Sequence, residues 1–252
     1  MTKTSNDTAV KKLLERIKEE REVNIKNGIY RRIQINFAYN SNRIEGSRLS
    51  EEQTQFIFDT NTIGFEDDQP LPIDDIIETR NHFRAVDYVL DTINSPLTED
   101  WIKHVHVLLK SNTSQAEKDW FVVGDYKRYP NEVGDRETTP PEAVAEAIRQ
   151  LLDEYAKSSS KTVYDLIDFH VAFERIHPFQ DGNGRVGRLI LFKELLRYSH
   201  IPFIITDNKK YFYYRGLKEW DSERNFLYET CLSCQDDMIA ILNYYGIVKT
   251  RD

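Results

Sequence analysis

The chain is 252 residues long and 40% hydrophobic, enough for one substantial core with a small accessory lobe. Its 34 basic and 42 acidic side chains leave a formal charge of -8, which repels a phosphate backbone and argues against nucleic acid as the main partner. No stretch approaches the ~20 apolar residues that span a bilayer, and the N-terminus has no apolar leader, so a cytoplasmic protein without a membrane partner is expected.

Apolar residues recur at helical spacing through most of the chain and alternating runs are scarce, which predicts an all-α protein. A charged first helix over about 8–26 ends near Asn27-Gly28, and a second over about 31–45 stops at Gly46. Ser50 and Gln53 have the spacing of a capping box that opens a short helix reaching Phe58. The Gly- and Pro-bearing stretch from Asp59 to Pro72 reads as a linker, dividing an N-terminal helical segment (1–70) from a core (71–252).

Within the core, helices are predicted at about 73–93, 99–111, 141–156 and 163–175, with a hairpin between Phe121 and Pro141. Three more follow at about 183–198, 208–220 and 223–246. Cys231 and Cys234 form a CxxC with no second cysteine pair, so they read as half-buried helix residues rather than half of a zinc site. His104 and His106 point to different helix faces and read as ordinary histidines. The charged first helix reads as a solvated face, with a homo-oligomeric contact left open.

The chemistry is concentrated in His177-Pro-Phe-Gln-Asp181-Gly182-Asn183-Gly184-Arg185-Val-Gly-Arg188. A Gly-Asn-Gly turn that opens a helix presents backbone N–H groups at the positive end of the helix dipole, and glycine lets a phosphate come close. Arg185 and Arg188 share a face of the first turn and suit phosphate oxygens, and Asp181 suits a magnesium ion that bridges phosphates. His177 is of the residue type that takes a proton from a hydroxyl at neutral pH. An isolated Asp-Gly-Asn-Gly is a common turn; with the base and both arginines it becomes a kit for phosphoryl or nucleotidyl transfer.

The whole string resembles the signature of Fic proteins at every specified position, and about Leu71 to Tyr245 is similar to the Fic core. The resemblance implies a Fic-type helical core with a small β-hairpin flap and an N-terminal helical extension. It implies His177 as general base, Asp181 as the Mg2+ ligand, Asn183 with the amides of Gly182 and Gly184 as an anion hole, and Arg185 and Arg188 on the polyphosphate of ATP. In the related Doc toxins, which phosphorylate their target, lysine replaces the second glycine; Gly184 here points to AMP transfer onto a Ser, Thr or Tyr hydroxyl of a protein, the chain itself included. The implied flap, about Asp125 to Arg136, would dock the target by strand addition through Asn131, Glu132 and Val133. Tyr213, Tyr214 and Asp221 resemble the residues lining the family's adenosine pocket.

Ser41-Asn-Arg-Ile-Glu45-Gly46 resembles the inhibitory motif of the subclass whose inhibitory helix is N-terminal. Ser41 and Glu45 are four apart and would share a helix face, and the resemblance implies that Glu45 pairs with Arg188 and misdirects ATP. Two rival readings remain: removal of AMP from modified proteins by the same site, and a nucleotide-sensing module without turnover.

Overall fold

The computed structural model describes residues 3–23, 25–63, 70–134 and 136–248. Among them are ten α-helices, two short 3-10 turns and one antiparallel two-stranded hairpin, the helical architecture expected from the periodicity. The chain forms two compact units, Met1–Leu71 with Phe192–Asp252, and Pro72–Leu191.

The first unit holds α1 (Lys3–Val23), α2 (Ile29–Ile44), α3 (Glu51–Thr60), the last part of α8 (Asn183–Arg197), α9 (Lys210–Lys218) and α10 (Asn225–Tyr244). Leu13, Ile33, Phe37, Phe192, Leu195 and Leu227 are among its buried side chains, with the Phe37 and Phe192 rings 5.1 Å apart. Helix α1 begins and ends earlier than the charge pattern suggests. Its turn into α2 is tied by the buried Glu20, whose carboxylate accepts the Tyr30 N–H at 2.8 Å.

Helix α2 stops because Gly46 adopts φ +102, which lets the Gly46 N–H reach the Arg43 carbonyl and the Ser47 N–H the Asn42 carbonyl, the paired bonds of a Schellman ending. Helix α3 opens on the expected capping box of Ser50 and Gln53. Gly216 lets α9 and α10 touch backbone to backbone: a Cβ there would lie 2.7 Å from the Leu227 Cα. Of the linker read over 59–72, residues 64–69 lie outside the described residues.

The second unit holds α4 (Ile73–Asp91), α5 (Glu99–Lys110), α6 (Pro141–Ala156), α7 (Val163–Ile176) and the start of α8. Helix α4 carries Asp74 and Asp75 in its first turn, where the dipole favours them; α5 is capped by Thr98 and α7 by a Thr162–Asp165 capping box. Helix α5 packs against α4, and α7 against α6, around Val86, Ile102, Val105, Ile148, Ile167 and Phe173. The hairpin is shorter than the predicted segment: β1 (Glu132–Val133) pairs with β2 (Arg136–Glu137), Glu132 opposite Glu137, and Asp125 to Asn131 is irregular.

Candidate active site

Helix α7 ends on His177, which sits in the left-handed region at φ 51 and turns the chain sharply into the loop ahead of α8. This conformation is uncommon for a side chain larger than glycine, and such strain concentrates at functional positions. The His177 Nδ1 lies 3.3 Å from the Glu174 carbonyl oxygen. A carbonyl only accepts, so Nδ1 carries a proton, and in the neutral imidazole the lone pair is then on Nε2, the tautomer that suits a general base.

The loop after His177 is held from two sides. The Asn183 side chain accepts the Phe179 N–H at 2.7 Å and donates to the Phe179 carbonyl at 2.8 Å, with only 1% of the residue exposed. Its amide shapes the loop, and the open N–H groups of the α8 first turn are backbone ones. Phe179 is fully buried and stacks flat on His106, ring centroids 4.0 Å apart. His106 Nδ1 accepts the Gly124 N–H at 2.9 Å, which makes Nε2 the donor to the Asp181 carbonyl at 3.1 Å. Gly182 completes the turn at φ +83.

Asp181 belongs to a four-member ion cluster. Lys110, 1% exposed, places its ammonium 2.5 Å from Glu78 Oε1 and 2.7 Å from Asp181 Oδ2. Arg185, 3% exposed, reaches Glu78 Oε2 at 2.5 Å and Asp181 Oδ2 at 3.5 Å, while Asp181 Oδ1 accepts the Gly182 N–H at 2.6 Å. Burial disfavours the Asp181 carboxylate, but the charges of Arg185 and Lys110 outweigh it and hold the carboxyl well below its usual range. Arg188 is buried, and its charge is felt by His82 and His170.

Asp181 stays ionised, and its side chain is 39% exposed. A carboxylate offers about four lone-pair positions, so room remains beside its present partners for one bond to a divalent ion. No group of three or more metal-ligating side chains occurs among the described residues.

His82, His106 and His170 are buried and held neutral, each pushed down to about 3 by burial first and then by Arg188, Lys110 or Arg185 nearby. Their folded values lie below the unfolded value of ~6.5, so the unfolded chain binds more protons between the two. The stability they contribute is complete above ~6.5 and is lost as pH falls toward 3, by as much as about 1.4 kcal/mol per pH unit for each. Urea unfolding at pH 7 and pH 5 checks this, because ordinary carboxylates titrate below that interval. An unchanged midpoint would contradict it.

Of the remaining sequence-predicted residues, Ser41, Glu45, Tyr213, Tyr214 and Asp221 fall in the first unit. Ser41 is fully buried in the last turn of α2, and Glu45, four residues on, is the exposed C-cap residue. Tyr214 lines an open cavity of about 740 Å3 with Tyr211, Lys210 and Arg215. Tyr213 does not: it is 1% exposed and packs in the core, and Asp221 lies beyond the end of α9. The flap residues Glu132 and Val133 are exposed on β1, while Asn131 precedes the strand and donates to the Phe179 carbonyl at 3.0 Å.

Sequence reasoning missed Glu78, Lys110 and His106 as parts of this site. Only His106 left a trace, as one of two histidines in the segment, and the observation that the pair faces apart hid that one is buried and the other exposed.

Residues 96–195 match the family model described as Fic/DOC family. Among sequence relatives, a "Protein adenylyltransferase Fic" of Nematostella vectensis is 28% identical over 192 residues, covering 72% of this chain and 42% of its own length. One of the same name from Drosophila willistoni is 27% identical, covering 71% and 35%. The chain thus spans less than half the length of these relatives. Among solved structures, a Fic domain containing signaling protein from Bacteroides thetaiotaomicron superposes with a TM-score of 0.73 at 24% identity, covering 96% of this chain and all of that one. Fic-1 (aa134–508) from C. elegans gives 0.70 at 21% identity, covering 94% and 72%. The string complete from His177 to Arg188 lies within the segment that matches the Fic/DOC family model, and the helical fold is shared with these solved structures.

Proposed function

We propose that the chain is a protein adenylyltransferase, moving AMP from ATP to a Ser, Thr or Tyr hydroxyl of a protein. The observation that carries this reading is the tautomer of His177: Nδ1 is committed to the Glu174 carbonyl, which leaves Nε2 to take the proton of an attacking hydroxyl. The backbone N–H groups at the start of α8 receive phosphate oxygens, and Arg188 carries charge toward the leaving pyrophosphate. Asp181 would hold Mg2+ together with the phosphates, and when bound that ion neutralises the charge developing on them. The hydroxyl attacks the α-phosphorus, the bond to the β-phosphate oxygen breaks, and the product is an AMP-protein phosphodiester with free pyrophosphate.

The same reading makes the exposed edge of β1 the dock for a protein target, and the chain one of its own targets. It makes Glu45 a brake that pairs with Arg188 in place of the γ-phosphate, a role supported by the resemblance of residues 41–46 to the inhibitory motif. No helix among the described residues is long and apolar enough to cross a membrane.

The test is incubation of the full chain with Mg2+ and ATP labelled on the α-phosphate, alone and with lysate proteins. Covalent label is expected, and Glu45→Gly is expected to raise it by about tenfold or more by restoring the Arg188 fork to the nucleotide. A Glu45→Gly protein that binds ATP yet labels no more than the parent would remove the brake. Absence of label from both, with ATP bound, would remove the transferase.

A further inference from the structure

The hairpin proposed to dock the target is not a free flap at its base. Lys127, only 4% exposed, sends its ammonium to Asn131 Oδ1 at 2.7 Å and Thr138 Oγ1 at 2.6 Å, one residue on each side of the hairpin. The same ammonium reaches the carbonyl of Ile176, the residue before His177, at 3.5 Å. The Lys127 N–H donates to the Pro178 carbonyl at 2.9 Å, and the Asn131 amide donates to the Phe179 carbonyl at 3.0 Å. Tyr129 and Gln180 exchange two further bonds, Tyr129 N–H to Gln180 Oε1 at 3.2 Å and Gln180 Nε2 to the Tyr129 carbonyl at 3.4 Å. The Thr138 hydroxyl also donates to the Asn131 carbonyl at 2.9 Å, which closes the hairpin root.

We propose that Lys127 is a positioning residue for the protein substrate, fastening the root of the hairpin to the loop that carries His177 so that the edge of β1 presents a target hydroxyl in fixed register with the base. The assignment rests on the proposed AMP transfer. Its physical content is that one ammonium, with three donors, meets oxygens from both hairpin ends and from the end of α7, a convergence that only a charged, compact head on a flexible stem provides. Burial pushes Lys127 down to about 8, so near neutral pH it still carries its charge among neutral acceptors. A register error of about 1 Å between the docked strand and the base costs on the order of 10²-fold in rate, whereas attack by water, which needs no dock, is insensitive to the hairpin.

The experiment compares the full chain with Lys127→Met and with the near-isosteric Thr138→Val, which removes the same convergence from its other side. Four quantities are read: Mg-ATP affinity by calorimetry, AMP released to water, covalent AMP on lysate proteins, and amide exchange across 131–138 and 183–188. Lys127→Met is expected to lower covalent label about tenfold or more and Thr138→Val by less, with ATP affinity and AMP release to water within about twofold. Amide exchange in the hairpin is expected to quicken about tenfold or more while that of the first turns of α8 holds.

Label and water-directed release falling together would make Lys127 a general support of the loop and overturn the assignment, as would unchanged exchange in the hairpin. A parent chain that labels nothing overturns the transfer reading instead; the exchange pattern then decides the fastening by itself.

Discussion

His177→Ala is expected to lower covalent AMP transfer by about 10²–10⁴-fold while leaving ATP affinity within about twofold. The size follows from the loss of the proposed base, whose Nδ1 faces the Glu174 carbonyl, and the selectivity from the proposed phosphate site being made of α8 backbone and arginines. No neighbouring histidine of the second unit is placed to substitute. His106 has both ring nitrogens engaged by Gly124 and Asp181, and His82 and His170 are fully buried and held neutral. Alanine also strains a left-handed backbone position, so His177→Asn is the companion variant, because asparagine tolerates that region. The two variants are expected to match in lost label and to differ in stability, with the asparagine form the firmer. Label retained in either would place the base elsewhere.

The helices were legible because their signals are local. Ser50 with Gln53 is a cap within four residues, and the apolar stripes of α4 to α7 recur within a turn or two. The string from His177 to Arg188 was legible for the same reason, since the loop and the first turn of α8 are contiguous in the chain. The partners that hold Asp181 were not. Lys110 lies 71 residues before it, and Glu78 another 32 before Lys110, so nothing in the local spacing of either distinguishes it from a surface charge on a helix. Tyr213 and Tyr214 show the opposite failure: adjacent residues look equivalent, and one turns into the core while the other lines the cavity. The linear string likewise misses that the Asn183 amide is turned onto Phe179, because a side chain satisfied by its own loop cannot be told from one aimed at a ligand.

Lys110→Met is expected to destabilise the protein by about 2–3 kcal/mol, less than the 3–5 kcal/mol of a fully buried pair because solvent reaches Asp181. In the parent, two carboxylates and two cations balance; methionine fills the same volume and leaves Glu78 and Asp181 to share Arg185 alone. Adding Glu78→Gln restores the balance as one carboxylate against one cation. The double variant is therefore expected to lose about 1 kcal/mol less than the sum of the single variants. The pH dependence has a definite sign. Asp181 has its folded value depressed, so its contribution is complete above the unfolded value of ~3.9 and is lost as pH falls through the folded one. The gap between parent and Lys110→Met is accordingly expected to narrow below about pH 4, and His106, which no longer feels the Lys110 charge in the variant, adds to the narrowing. Urea unfolding of the four proteins at pH 7 and of the first two at pH 3 measures every term. Strict additivity, or a gap that widens in acid, would mean that Lys110 steadies the site by packing rather than by charge.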